Sequence, residues 1–110
     1  MDTWIKNIAK GEILQLQKEI PYQDGQIVSK TLAQNERVSL TLFAFEKGEE
    51  IRTHASQGDA MVTILDGAGR MTIAGKEYML TSGETMVIPA GTPHAVYAQE
   101  RFKMLLTAIL

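Results

Sequence analysis

From Gln26 onward the chain is a series of short runs of period two, most of them closed by a glycine-bearing turn. This punctuation limits the fold more than any other feature. Val38, Leu40, Leu42 and Ala44 alternate with Ser39, Thr41, Phe43 and Phe45, as along one strand. Further runs cover Ala60–Leu65, Arg70–Ala74, Glu77–Leu80, Thr85–Ile88, His94–Ala98 and Lys103–Ile109. Between them stand Lys47-Gly48, Asp66-Gly67, Gly75-Lys76, Ser82-Gly83 and Pro89-Ala90-Gly91. Many short strands at near-regular spacing predict an all-β sandwich, jelly roll or barrel. Asp66-Gly67, between two apolar runs, predicts a tight hairpin, because glycine tolerates positive φ. Before this region, Trp4, Ile5 and Ile8 recur at helical spacing, so a short helix over Thr3–Ala9, ended by Gly11, is expected. The division expected is one domain over 1–110, with 1–25 an N-terminal extension and 26–110 the β-barrel.

Charge excludes several function classes. The 13 acidic and 11 basic residues leave a net charge of −2, with no broad basic field for nucleic acid or an anionic membrane. The chain has no cysteine, which removes disulfides, zinc–thiolate sites, iron–sulfur clusters and thiol catalysis. The segment Met1–Asn7 holds no apolar run of the secretion-signal kind, and no uninterrupted apolar stretch approaches a membrane span. A cytoplasmic location is the expectation.

The only two histidines are His54 and His94, each at the end of a predicted strand, where barrels open to ligands. On composition alone, each is equally an ordinary polar residue at a loop edge. Spacing adds more. Gly83-x5-Pro89-x-Gly91-x2-His94 matches the second cupin motif at its four core positions, and Gly48-x5-His54, followed by Gly67, matches anchors of the first. Over roughly Gln26 to Ile109 the chain resembles the small single-domain cupins. Gly58–Val62 and Arg101–Thr107 are similar to a widespread group of uncharacterised bacterial ones.

The resemblance implies a cupin antiparallel β-barrel, or jelly roll. It also implies a metal site in which His54 would be the first ligand and His94 the last. Two further ligand positions fall on Ser56 and Ala60, which are not ligands of the expected kind, and Ala98 stands where the second motif often ends in asparagine. Two imidazoles alone make a weak site for a divalent ion such as zinc, nickel, manganese or iron. Asp59 should face away if Ala60 faces inward. The expectation is therefore a barrel that binds a polar or anionic small molecule through His54, Ser56 and His94. The alternative is a metal-dependent isomerase or dioxygenase using His54 and His94.

The remaining polar residues single out no nucleophile. Glu46, Glu49 and Glu50 read as a solvated edge around a turn, and the methionines in strands read as core filler. The alternating stretch Gln26–Leu32 lacks a hairpin partner before it. Such an edge is usually paired or covered, so a homodimer is expected.

Overall fold

The period-two runs become eight strands in a computed structural model that describes residues 4–110. They are β1 (Ile27–Gln34), β2 (Val38–Phe45), β3 (Glu50–His54), β4 (Asp59–Ile73), β5 (Lys76–Thr81), β6 (Thr85–Ile88), β7 (His94–Tyr97) and β8 (Phe102–Ile109). Their order is β1-β2-β8-β4-β7-β3, and β5 and β6 also pair with β4. All pairings are antiparallel. The first half of β4 lies between β8 and β6 in the larger sheet, and its second half lies between β5 and β7 in the smaller one. One long strand thus joins the two sheets of the barrel.

That continuity corrects the expected hairpin at Asp66-Gly67. The chain does not reverse there; a bulge between Ile64 and Asp66 bends β4 instead. Gly67 takes φ 71°, and a Cβ on it would lie 2.5 Å from the Arg101 carbonyl oxygen. A Cβ on Gly69 would meet the Phe102 ring at 2.6 Å. The glycines let β4 cross close over β8 rather than turn back. The hairpin of this region falls later, at Ala74 (φ 49°) and Gly75 (φ 83°), where two successive positive φ values suit a two-residue turn.

Both faces of the second half of β2, Leu42–Phe45, are apolar because both are covered. Phe45 points into the barrel with Val62, Ile64, Met71, Ile88, Val96, Phe102 and Met104, all between 0 and 4% exposed. Phe45 and Phe102 stack with centroids 4.6 Å apart. Leu42 and Ala44 point outward into a second cluster with Leu32 and Ile20, which Ile8, Leu16 and Tyr22 of the N-terminal extension help to close. Burying a side chain such as Leu42 contributes about 2 kcal/mol, so the extension is part of the folded core.

The expected N-terminal helix is absent from the described residues, and Thr3 lies outside them. Lys6 donates its backbone N–H to the Leu32 carbonyl, and the Asn7 side chain donates to the Thr31 carbonyl. Asn7 takes φ 68°, which no right-handed helix contains. Trp4 and Ile5 remain 76% and 46% exposed, so the helical apolar face they would form has nothing to pack against. One turn of 3₁₀ helix, Leu16–Lys18, is the only helical element described. No helix among the described residues is long and apolar enough to cross a membrane.

Candidate functional site

β3 and β7 carry the two histidines. In their antiparallel ladder Ile51 opposes Val96 and His54 opposes His94, with a register shift between. Val96 and His94 are two residues apart and share the inward face, where both are buried. Ile51 and His54 are three apart, and simple alternation would put them on opposite faces. The bulge absorbs the extra residue, so His54 shares the inward face with Ile51. The ring centroids of His54 and His94 lie 4.2 Å apart, the planes inclined by 57°.

The two rings differ in setting but not in hydrogen bonding. His94 is 6% exposed, whereas His54 is exposed at the mouth. His54 Nδ1 lies 3.0 Å from the Arg52 carbonyl oxygen, and His94 Nδ1 lies 3.0 Å from the Thr92 carbonyl oxygen. A carbonyl only accepts, so each Nδ1 carries the proton and donates it. In the neutral rings, both Nε2 atoms then keep their lone pairs. These two carbonyls set the chemistry of the site. Sequence reasoning missed them because a backbone carbonyl carries no residue-type signal.

The loops around the pair hold one another. Gly91 N–H donates to the Ser56 carbonyl at 2.9 Å, and Ala90 N–H donates to Asp59 Oδ1 at 2.9 Å. Ala74 N–H donates to the Pro93 carbonyl at 2.9 Å. The turn that delivers His94 is thus tied to the segment that follows His54. Asp59 faces outward and is engaged there. The Ser56 hydroxyl donates to the Gly58 carbonyl at 2.9 Å, leaving its oxygen able only to accept. Ala60 is 3% exposed and sits in the barrel core with Val62 and Ile64. No group of three or more His, Cys, Asp or Glu side chains with metal-binding geometry occurs among the described residues. Two imidazoles with an alanine and a committed serine do not fit a four-ligand divalent metal centre.

The glutamate edge divides. Glu46 receives two hydrogen bonds from Arg101, at 3.2 and 2.7 Å, and these hold its carboxyl below the usual range. It is an ion-paired group and not the solvated one expected. Met71 and Met104 are core, at 0 and 1% exposed, whereas Met61 and Met79 are exposed.

Comparison with known proteins agrees with this architecture. The family model described as a cupin domain matches residues 41–109. A conserved Streptococcus pyogenes protein of unknown function superimposes with TM-score 0.94 at 44% identity, covering 98% of this chain and 95% of its own. A cupin superfamily protein from Desulfitobacterium hafniense gives TM-score 0.92 at 31% identity, covering 96% and 97%. A cupin 2 conserved barrel domain protein from Leptotrichia buccalis gives 0.86 at 42%, covering 88% of this chain and 47% of its own. A salicylate 1,2-dioxygenase from Pseudoaminobacter salicylatoxidans, at 17% identity and TM-score 0.71, shares the fold alone. No curated protein sequence shows a significant match. With the family model spanning the barrel from β2 to β8, and relatives above 30% identity covering almost the whole chain, the protein belongs to the cupin family.

Proposed function

We propose that the protein is a small-molecule-binding cupin whose ligand is held by Nε2 of His54 and Nε2 of His94, with the Ser56 oxygen as an accessory acceptor. The observation that carries this reading is the 4.2 Å histidine pair with both Nδ1 atoms already engaged. Two neutral Nε2 atoms accept hydrogen bonds. A neutral ligand must therefore present donors, and an anionic ligand must bind together with protons that convert the rings to donors. A polar acid meets both conditions, because it brings its own proton.

The test is a thermal-shift screen of small carboxylic acids, followed by calorimetry in buffers of different ionisation enthalpy. A ligand of the pair raises the melting temperature with concentration, loses that effect in His54→Ala, and shows a buffer-dependent heat from proton uptake. A screen in which no stabilising acid loses its effect in His54→Ala would refute the assignment.

The second reading is a metal-dependent enzyme. It is favoured by the two Nδ1–H···O=C bonds, which resemble the support behind metal-binding histidines. It is disfavoured by the lack, among the described residues, of a third donor of the usual kind. We further propose a cytoplasmic homodimer, on the grounds of the cysteine-free sequence and the edge position of β1.

A further inference from the structure

The outer face of the smaller sheet, turned away from the histidines, holds a concavity of about 390 Å³. Met71 and Val96 face the barrel interior, so Arg70, Thr72, Ala95 and Tyr97 face out. The β3 bulge adds to this face. Two residues, Arg52 and Thr53, stand opposite the single Ala95, so both side chains turn outward beside it. Ala95 makes a low floor between them and Thr72.

The charges lining the concavity are two guanidiniums and one carboxylate, Glu50. Arg70 lies over the Tyr97 ring at 4.6 Å, which orients its planar fork, and it meets Glu77 at 3.6 Å. Glu77 is 63% exposed, so that contact is a loose surface pair that a ligand carboxylate can replace. The Arg52 guanidinium has no hydrogen bond or ion pair with any described residue. β7 separates β3 from β4 by two steps of about 4.8 Å, and Arg52 stands at the level of Ala95 whereas Arg70 pairs with Tyr97, two residues along, so the bases of the two arginines lie roughly 12 Å apart. That separation suits a molecule with an anionic group at each end better than a single small ion. The volume lies near the lower end of small-ligand sites.

We propose that this concavity binds a short aliphatic dicarboxylate, with Arg52 and Arg70 each taking one carboxylate and the hydroxyls of Thr53, Thr72 and Tyr97 lining the path between. The planar guanidinium fork matches a carboxylate with two parallel hydrogen bonds. Glu50 opposes the ligand and limits affinity. The histidine pair lies on the other face of the same sheet, and the two sites share the β3 bulge.

The experiment is a titration of the full chain with succinate at low ionic strength, followed by amide NMR, with acetate and inorganic phosphate as comparators. Succinate should saturate shifts at Thr53, Thr72 and Ala95 and bind about tenfold more tightly than acetate or phosphate, as one added charge-assisted contact predicts. Arg52→Gln, which breaks no hydrogen bond or ion pair of that side chain among the described residues, should weaken succinate about tenfold, and Glu50→Gln should tighten it. The proposal is overturned by the absence of saturating shifts at these amides, by phosphate binding as tightly as succinate, or by Arg52→Gln binding like wild type. Loss of binding in His54→Ala with Arg52→Gln unaffected would instead assign succinate to the histidine pair.

Discussion

His54 and His94 stand directly opposite one another on β3 and β7, and the bulge between Ile51 and His54 is what lets both face inward. The same extra residue does two things. It keeps His54 on the barrel side, and it doubles the side chains, Arg52 and Thr53, on the outer side. The Arg52 carbonyl then fixes the His54 ring by accepting its Nδ1 proton. Inner and outer sites therefore share one backbone irregularity.

The Glu46–Arg101 pair makes stability depend on acid. Hydrogen bonds from Arg101 hold the Glu46 carboxyl below its unfolded value, and Lys47 N–H adds to them. A carboxyl lowered by folding stabilises the native state above its unfolded pKa. That contribution is lost as pH falls through the lower, folded value. Glu46→Gln should therefore melt below wild type at neutral pH, and the gap should close progressively once the pH drops below the ordinary carboxylate range. Melting curves of both proteins from neutral to acid pH check this. A gap constant across that range would mean that Glu46 acts through packing alone.

The N-terminal extension should behave as part of the core. Ile20 is 2% exposed, and Ile20→Ala should cost about 2–4 kcal/mol in denaturant unfolding. Tyr22 donates its hydroxyl to Asp66 and lies between Arg101 and Lys103, at 4.6 and 4.7 Å from its ring centroid. Burial, and then the Asp66 carboxylate, push the Tyr22 hydroxyl well above the usual phenol range. In a spectrophotometric titration, Tyr22→Phe should remove a tyrosine ionisation that lies above the usual phenol range, at a cost of about 1 kcal/mol in stability. Limited proteolysis should spare the region before Ile27 in wild type and cut it in Ile20→Ala. Unchanged cleavage in Ile20→Ala would show that the outer cluster does not hold the extension.

The strands were legible because alternation survives wherever at least one sheet face is buried, as along β2, β6 and β8. Asp66-Gly67 misled because the dipeptide has the residues of a hairpin turn, whereas Gly67 and Gly69 are there for close passage of β4 over Arg101 and Phe102. The N-terminal helix misled because spacing records which residues are apolar, not whether anything covers them; Trp4 and Ile5 are left exposed, and the backbone bonds to β1 instead. The histidines were legible from motif spacing. Their shared face was not, since Ile51 and His54 have the wrong parity until the bulge is known. The outer pairing of Arg52 with Arg70 was illegible for the same reason, because Arg52 owes its place to that bulge.

Association is the next expectation. β1 pairs with β2 on one side only, and Lys6 and Asn7 reach just its far end, at Leu32 and Thr31. The Ile27–Lys30 end remains an edge of the kind that proteins pair or cover. A homodimer joined through antiparallel β1 edges should appear by light scattering at micromolar concentration. Ser29→Pro, which removes a backbone donor from that edge, should shift it to monomer if the outward N–H of Ser29 is the one shared. A wild-type protein that is monomeric throughout this range would refute the dimer.

The last expectation concerns the two positions where the family's ligand spacing meets Ser56 and Ala60. The donor set present, two imidazoles, predicts weak nickel or manganese binding by the wild type. Ser56→His with Ala60→Glu would supply two more donors. If both new side chains reach the histidine pair, each should tighten nickel about tenfold or more, at about 1.4 kcal/mol per tenfold. The double variant has a cost built into the fold. Ala60 is 3% exposed within the apolar core, so an unpaired glutamate there should destabilise the metal-free protein by about 3 kcal/mol or more. Metal bound only by the native state then offsets that penalty, so nickel should raise the melting temperature of the double variant far more than that of wild type. Calorimetric titration and melting curves with and without nickel read both effects. Equal, weak binding by a folded double variant and by wild type would show that positions 56 and 60 do not converge on His54 and His94. The site would then be a two-histidine binding site by construction and not a metal centre lacking two ligands.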